Sequence, residues 1–168
     1  MTEIISAPVV ERTVKNRLES AGFHEILKQP RFVLFKKEPR EGKITKIPKM
    51  PNGDNAASTK MDTWVTFDEA WAAFETYPTR FDGIGIILGD YFGSKIVGLD
   101  LDHVTDALSG EYTNPEALRV IDGIKTYGER SPSGTGVHFL FLNQDIPVGY
   151  KTRIGGDSTI DLELYEKG

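Results

Sequence analysis

Residues 95–104 read KIVGLDLDHV, a run in which apolar and acidic side chains alternate. Successive side chains of a β-strand point to opposite faces, so the apolar side chains of this run share one face. They are Val97, Leu99 and Leu101. Asp100 and Asp102 share the other face with Gly98. The stretch therefore predicts a strand that has one face in a core and two carboxylates on the other.

The two aspartates favour a cation site. Their Cα atoms are about 7 Å apart, because a strand rises roughly 3.3 Å per residue. Unpaired carboxylates this close repel each other, and burial raises the pKa of one of them. A divalent cation removes the conflict, and Mg²⁺ or Mn²⁺ suits oxygen ligands. The alternative is a solvated polar face on an edge strand, and D-x-D alone leaves both interpretations open.

The composition predicts one domain with a sizeable core. The chain has 168 residues, of which 39% are hydrophobic and 27% charged. The lack of cysteine excludes disulfides and thiolate zinc sites, and is compatible with the cytosol. No run has the apolar length of a membrane span, and the first residues lack the regions of a signal peptide. The net charge of −5 argues against nucleic-acid binding through bulk charge but leaves local basic patches open.

The N-terminal part predicts a helix, a strand and a basic hairpin. Residues 9–21 carry apolar side chains at helical spacing, and Gly22 ends the helix. Residues 31–37 predict a strand. Residues 38–49 predict a hairpin with its turn at 40–42. Six basic residues lie on it or just before it: Lys36, Lys37, Arg40, Lys43, Lys46 and Lys49. They either protect an edge strand against pairing or form a positive wall for phosphates.

A capping box predicts the next helix, with Thr66 as N-cap and Glu69 three residues later. The side chains of its apolar stripe favour core packing over base stacking: Phe67, Ala70, Trp71 and Phe74. A buried strand is predicted next, at residues 82–88. We expect Ile84–Leu88 to pair antiparallel with Ile96–Leu101, across a turn at Gly89–Ser94.

The second half predicts a helix that begins at Asn114-Pro115 and then a turn that can hold an anion. Residues 131–138 read SPSGTGVH and lead into a strand at 137–142. Backbone N–H groups and hydroxyls in such a turn can receive an anion. His138 lies on this strand, either as a structural residue or as a phosphate contact.

The last predicted strand adds a third acidic face. After a predicted polar loop at 143–158, residues 159–166 read TIDLELYE, with Asp161 and Glu163 on the face opposite the apolar side chains. If the three polar strand faces meet on one sheet, their carboxylates would hold two divalent ions, and the turn and histidine would hold a polyphosphate. These are the parts needed for two-metal nucleotidyl transfer.

The ordered motifs LDLDH, SPSGTGVH and DLELYE resemble the archaeo-eukaryotic primase superfamily, in its phage and plasmid primase-polymerase branch. The resemblance begins near Arg31 with RFVLFK. It includes KIPKMPNGDNAAST, the W and FDEA that follow, and GIGIILG, so that it covers about 135 residues of the chain. It implies an α/β fold of the α+β type, with a mixed, largely antiparallel sheet flanked by helices.

The resemblance also implies roles for the matching residues. Asp100, Asp102 and Glu163 would be the catalytic ligands of two Mg²⁺ or Mn²⁺ ions, with Asp161 a weaker candidate. The second motif would hold the phosphates of an incoming NTP or dNTP through Ser133, Gly134, Gly136 and His138. Lys46, in the K-I-P segment, would contact nucleotide or template. His103 is assigned no catalytic role.

The same resemblance implies partners and a domain plan. We expect a single-stranded DNA template with its primer, and a helicase module or replication protein downstream, in the cytoplasm of a bacterial, archaeal or phage-infected cell and not at a membrane. Residues 1–30 would be an N-terminal helical segment, and residues 31–168 the catalytic core. Relatives usually continue into a further strand of the form R-[FY]-x-x-x-T-G, so this core is expected to be trimmed at its C-terminal end.

The leading hypothesis is therefore a template-dependent primase and DNA polymerase core. Two alternatives stay open. One is an inactive relative that recognises nucleic acid at a replication origin, and the other is a metal-dependent phosphohydrolase that uses the same acids. Retention of all the acids together with His138 argues against the first alternative, because a pure binding module does not need them.

Overall fold

The computed structural model describes residues 7–113, 115–131, 133–143, 151–154 and 160–165. These residues form three α-helices and nine β-strands, and every strand pair among them is antiparallel. The predicted fold class, antiparallel sheet with helices, is confirmed.

The chain divides into two compact units, Met1–Ile87 and Leu88–Gly168, and each has its own sheet. The division at residue 30 that the sequence suggested stays a prediction. None of the helices in the described ranges is long and apolar enough to cross a membrane.

The N-terminal unit is built on a three-stranded sheet. Its main elements are α1 (Ala7–Ser20), β1 (Phe32–Arg40), β2 (Lys43–Lys49), α2 (Phe67–Thr76) and β3 (Gly83–Ile86). The strand order is β2-β1-β3, so β1 is central. The predicted hairpin is confirmed. Its turn residues Glu41 and Gly42 both have positive φ, 49° and 78°, as a two-residue turn between twisted strands requires.

Helix α2 begins as the sequence predicts. Thr66 is its N-cap, and the reciprocal capping box with Glu69 is present. The aromatic stripe packs in the core: Phe67 stacks on Trp71 with ring centroids 5.7 Å apart, and meets Phe32 edge-on at 5.5 Å. The core interpretation of these aromatics is therefore confirmed over base stacking.

We expect the capping box to make stability depend on pH. The backbone N–H of Thr66, and then its hydroxyl, donate to the Glu69 carboxylate at 2.8 and 2.7 Å and lower the pKa of that carboxyl from its ordinary 4.5. A carboxyl with a lowered folded pKa stabilises the protein above its unfolded pKa and loses that contribution as the pH falls through the folded pKa. Glu69→Gln should therefore lower the free energy of unfolding by about 1 kcal/mol at neutral pH, and by less below pH 4.5.

Urea unfolding at several pH values tests this expectation. Glu75→Gln, at an exposed position of the same helix, is the matched control and should change stability by less than about 0.5 kcal/mol. An equal loss for Glu69→Gln at acidic and neutral pH would contradict the expectation.

The C-terminal unit is built on a six-stranded sheet. Its elements in chain order are β4 (Gly89–Tyr91), β5 (Ser94–Asp102), α3 (Pro115–Gly123), β6 (Tyr127–Arg130), β7 (Val137–Leu142), β8 (Lys151–Ile154) and β9 (Ile160–Tyr165). The strand order is β6-β7-β5-β9-β8, and β4 also pairs with β5. Strand β5, which carries the D-x-D motif, therefore lies in the middle of the sheet and not at its edge.

The core of this unit lies on the apolar face of β5. Leu99 and Leu101 are buried there with Val137 and Phe139 of β7. Helix α3 contributes Ala117 to this cluster and packs Val120 and Ile121 against it, and Ile124, the residue after the helix, packs there as well. The alternation predicted from the sequence is thus confirmed for both strands. The predicted cap at Asn114 lies outside the described residues.

Two sequence predictions about strands are wrong. Ile84–Leu88 does not pair with Ile96–Leu101, because β3 pairs with β1 in the N-terminal unit. Strand β4 occupies the place beside β5 that was predicted for Ile84–Leu88. The turn that joins β4 to β5 contains Phe92 and Gly93, with φ of 54° and 75°. The predicted polar loop at 143–158 contains strand β8, which pairs with β9. Four residues with few apolar side chains are too short a run to show strand alternation.

Candidate functional site

One row of polar residues crosses the sheet of the C-terminal unit. Asp100 on β5 is directly opposite His138 on β7 and Glu163 on β9. His138 is in turn opposite Glu129 on β6. Residues directly opposite each other in antiparallel strands share a face. Three of the residues proposed from separate motifs are therefore neighbours across adjacent strands.

His138 lies between two carboxylates. Its Nε2 is 3.3 Å from Asp100 Oδ1, and its Nδ1 is 3.9 Å from Glu129 Oε1. Asp100, and to a lesser degree Glu129, raise the pKa of His138 to about 9 against the opposing effect of burial. Without a cation on Asp100, this shift favours the protonated imidazole at neutral pH. The contacts of protonated His138 with the two carboxylates stabilise the fold. This stabilisation is complete below the ordinary histidine pKa of 6.5 and is lost as the pH rises through about 9.

Asp100 carries an unsatisfied buried oxygen. Its Oδ1 is buried and accepts no hydrogen bond in the described part of the protein, so the contact with His138 is an ion pair without hydrogen-bond geometry. The ion pair leaves this buried oxygen without a well-aligned hydrogen bond, and a buried acceptor in that state is unfavourable. A bound cation would satisfy this oxygen.

The neighbouring acids give a donor set that fits Mg²⁺ or Mn²⁺ in chemistry. Asp102 is half-buried on the same strand face as Asp100, and Glu163 is exposed on β9. All three offer the carboxylate oxygens that hard cations prefer. Among the described residues, no three acidic or histidine side chains lie close enough together to hold one metal ion. The structure describes only the backbone of Asp161, which is opposite Asp102 in the strand register.

The Ser/Gly turn carries a chain of hydroxyl groups. The Oγ atoms of Ser131 and Ser133 are 2.7 Å apart, and Ser133 Oγ is 3.0 Å from Thr135 Oγ1. The N–H of Gly136 donates to Ser131 Oγ at 3.0 Å, and Gly134 takes the left-handed conformation with φ of 80°. The turn thus presents small groups and hydroxyls next to the strand that carries His138.

The segment after β5 holds this turn in place. The Thr105 hydroxyl donates to the carbonyl of Gly134 at 2.8 Å. The backbone N–H groups of Val104 and Thr105 donate to the Thr135 carbonyl at 2.9 and 3.1 Å. The turn therefore lies at the C-terminal end of β5, where Asp102 is the last residue of the strand. The binding roles assigned to Ser133, Gly134, Gly136 and His138 stay predictions.

Gly136 marks the closest approach of the turn to the acidic strand. A Cβ atom there would be 2.9 Å from the Leu101 carbonyl oxygen, 3.1 Å from Asp102 Oδ1 and 3.2 Å from Ser131 Oγ. We expect Gly136→Ala to lower the free energy of unfolding by about 1–3 kcal/mol, because the backbone or Asp102 must move.

Gly123→Ala is the control for this substitution, because its Cβ atom would have no neighbour within 4 Å. It should leave stability unchanged or raise it by about 0.4–1 kcal/mol. Thermal or urea unfolding of both variants provides the comparison. Equal stability of the Gly136→Ala and Gly123→Ala variants would contradict the packing described for Gly136.

Two further predictions concern residues away from this row. Lys46 is exposed on β2 of the N-terminal unit, with its Nζ 5.4 Å from the ring centroid of Phe35, and its contact with nucleotide or template stays a prediction. His103 follows the end of β5 with a left-handed φ of 59°, so strand alternation does not extend to it.

Sequence reasoning missed Glu129 and Thr105. Glu129 flanks His138 and accepts a hydrogen bond from the Tyr127 hydroxyl at 2.9 Å. Glu129 lies two residues before the turn in sequence, but its neighbour across the sheet could not be identified from the sequence. No sequence pattern indicated the contact between Thr105 and the turn, because 29 residues separate Thr105 from Gly134.

No protein-family model matches this chain. The chain is 33% identical, over 152 residues, to a protein named DNA primase-polymerase from Nitratiruptor phage NrS-1. The match covers 90% of this chain and 20% of the phage protein, so the chain spans about a fifth of that relative's length. The similarity supports a relationship between this chain and a phage primase-polymerase.

Proposed function

We propose that this chain is a primase-polymerase core that transfers nucleotides from NTP or dNTP to a primer on a single-stranded DNA template. The observation that carries the proposal is the register that makes Asp100 the neighbour of both His138 and Glu163. The similarity to the phage DNA primase-polymerase supports it, and we assign the chain to the archaeo-eukaryotic primase superfamily on the motifs that contain these residues.

The proposed site divides into an acidic part and a phosphate part. Asp100, Asp102 and Glu163 would hold two Mg²⁺ or Mn²⁺ ions, which supply activation of the primer 3′-hydroxyl and neutralise the leaving pyrophosphate. His138 would contact the phosphates of the nucleotide through a ring N–H, and a positive charge on the ring would add attraction. Ser133 would give these phosphates a hydroxyl donor. Gly134 and Gly136, whose N–H groups donate to Ser131 within the turn, would let the phosphates approach with no bulky side chain in the way. Lys46 would add a nucleotide or template contact.

The proposal extends to the setting of the reaction. Template, primer and nucleoside triphosphate are the partners that this chemistry requires. A helicase module or another replication protein would open the duplex ahead of it, in the cytoplasm of a bacterial or archaeal cell or of a phage-infected host.

Metal-dependent incorporation of a labelled nucleotide onto a primed template tests the proposal. We expect extension that needs the template, the divalent ion and Asp100. Nucleotide hydrolysis without a template would instead support a phosphohydrolase. Duplex or single-strand binding without either reaction would support a replication-origin binding module.

We expect His138→Gln to act on nucleotide binding. Glutamine keeps an N–H donor but loses the positive charge, and a hydrogen bond to a charged group contributes about 1.5–3 kcal/mol. The Michaelis constant for the nucleotide should rise by about tenfold or more, because each 1.4 kcal/mol is about tenfold, with a smaller effect on kcat. His24→Gln, an exposed histidine of the N-terminal unit, is the control. An unchanged Michaelis constant in steady-state extension assays would remove the phosphate role of His138.

A further inference from the structure

The β1–β2 hairpin concentrates positive charge on an acidic chain. Residues 36–49 contain six basic and two acidic residues, whereas the net charge of the whole chain is −5. Two of the basic side chains are paired. Lys36 Nζ lies 3.1 Å from Asp82 Oδ1, and Lys49 Nζ lies 3.3 Å from Glu38 Oε1.

The other four basic side chains are exposed, and none of them forms an ion pair with an acid in the described part of the chain: Lys37, Arg40, Lys43 and Lys46. They also oppose one another. In the register of the hairpin, Lys37 is directly opposite Lys46, and Arg40 is directly opposite Lys43. Like charges directly opposite each other across two strands are destabilising. The hairpin therefore keeps two unfavourable pairs of the same sign.

Protection of a sheet edge does not explain this arrangement. Lysine is a usual protecting residue of an edge strand, but protection does not require like charges directly opposite each other in one hairpin, which cost stability. An anionic ligand along the hairpin, in contrast, would be attracted by both pairs and would offset the repulsion within each of them. The charge pattern therefore indicates a polyanion.

The shape of the hairpin indicates which polyanion. β3 pairs with β1 only at residues 32–35, so residues 37–46 extend beyond the sheet as a two-stranded ribbon. The basic pairs lie on opposite faces of this ribbon, and Ile44 near its tip is 69% exposed. A polar groove of about 530 Å³ at the tip is lined by Arg40, Glu41, Lys43 and Thr45. The major groove of B-DNA, about 12 Å wide, admits a two-stranded ribbon between two rows of phosphates.

We propose that the hairpin at residues 37–46, which we call the basic ribbon, binds the phosphate backbone of double-stranded DNA. Single strands are bound mainly by stacking bases on exposed aromatic side chains. The ribbon has no exposed aromatic residue, and the half-buried Phe35 next to it lies under Lys46. The narrow, deep major groove of A-form RNA would exclude a ribbon. Identification of this duplex as the primer–template rests on the proposed function, whereas the binding itself does not.

Fluorescence anisotropy with labelled duplex DNA tests the proposal, with EDTA present and no nucleotide, so that the proposed metal site plays no part. The test variant is Lys37→Ala/Arg40→Ala/Lys43→Ala/Lys46→Ala. The control variant, Lys28→Ala/Lys60→Ala/Arg119→Ala/Lys125→Ala, removes the same charge from exposed positions elsewhere. We expect the ribbon variant to lose at least about tenfold in duplex affinity, and its plot of log affinity against log salt to become shallower by about 3–4.

A thermal melt distinguishes binding from damage to the fold. The ribbon variant should melt cooperatively near the wild-type temperature while it loses DNA affinity, because the loss of the Lys46–Phe35 contact and the loss of the repulsion act in opposite directions. Wild-type affinity in the ribbon variant, or an equal loss in the control, would overturn the proposal. Tighter wild-type binding to single-stranded than to duplex DNA, lost in the ribbon variant, would overturn the assignment to a duplex.

The polymerase function and DNA binding by the basic ribbon can be tested separately. If the chain incorporates no nucleotide but binds duplex DNA through the basic ribbon, the polymerase function is refuted and the proposed DNA binding stands. If the wild-type chain incorporates nucleotides but the ribbon variant binds duplex DNA normally, the proposed DNA binding by the basic ribbon is refuted and the polymerase function stands.

Discussion

Asp100→Asn is expected to reduce nucleotide incorporation by at least on the order of 10²–10³, while the protein keeps its fold. Asp100 is the central residue of the polar row, and its Oδ1 is buried without a hydrogen bond in the described part of the protein. Asparagine has the same size but offers one neutral oxygen. The substitution therefore removes the charge that would hold a cation, and it removes the carboxylate that faces His138.

Primer extension with Mg²⁺ or Mn²⁺ measures this effect, and circular dichroism and thermal melting monitor the fold. Asp90→Asn is the matched control, because Asp90 is an exposed aspartate on β4 of the same sheet. It should extend primers at the wild-type rate. Full activity of Asp100→Asn would remove Asp100 from the site, and an equal loss in Asp90→Asn would point to a general charge effect.

Arg31→Ala is expected to have the largest effect on stability, a loss of about 3–5 kcal/mol in the free energy of unfolding. Arg31 is fully buried, with 0% exposure. Its Nε and Nη2 donate to the carbonyl of Ile87 at 3.3 and 2.9 Å, and the Ile87 N–H donates to the Arg31 carbonyl at 2.7 Å. Alanine would leave a buried carbonyl without these donors and a void of several atoms.

Urea unfolding measures this loss. Arg17→Ala, at an exposed position on α1, is the control and should change stability by less than about 0.5 kcal/mol. An Arg31→Ala variant within about 1 kcal/mol of the wild type would contradict the structural role of the buried guanidinium.

The local elements of this fold could be predicted, but their pairing could not. The strand at 137–142 and the capping box at Thr66 are where the sequence places them, because alternation and capping depend on neighbouring residues. The partner of β3 could not be predicted from the same signals. Its pairing with β1 joins residues about fifty positions apart, and a shorter segment, β4, occupies the hairpin position beside β5.

The same limit applies to the candidate site. Strand alternation was enough to place Asp100, His138 and Glu163 on polar faces, but the register that joins those faces required the structure. Glu129 and Thr105 act across strands and loops, and no local pattern identified them. The burial of Arg31 was also not predictable, because arginine at the start of a strand is exposed far more often than buried.

The most direct test of the central claim is isothermal titration calorimetry of Mn²⁺ with a nucleoside triphosphate into the wild-type chain and into the Asp100→Asn variant. If the polar row of the C-terminal sheet is a metal–nucleotide site, the wild type binds and the folded variant binds far more weakly or not at all. Equal binding by both proteins, or no binding by a folded wild-type chain, would contradict the assignment of this site.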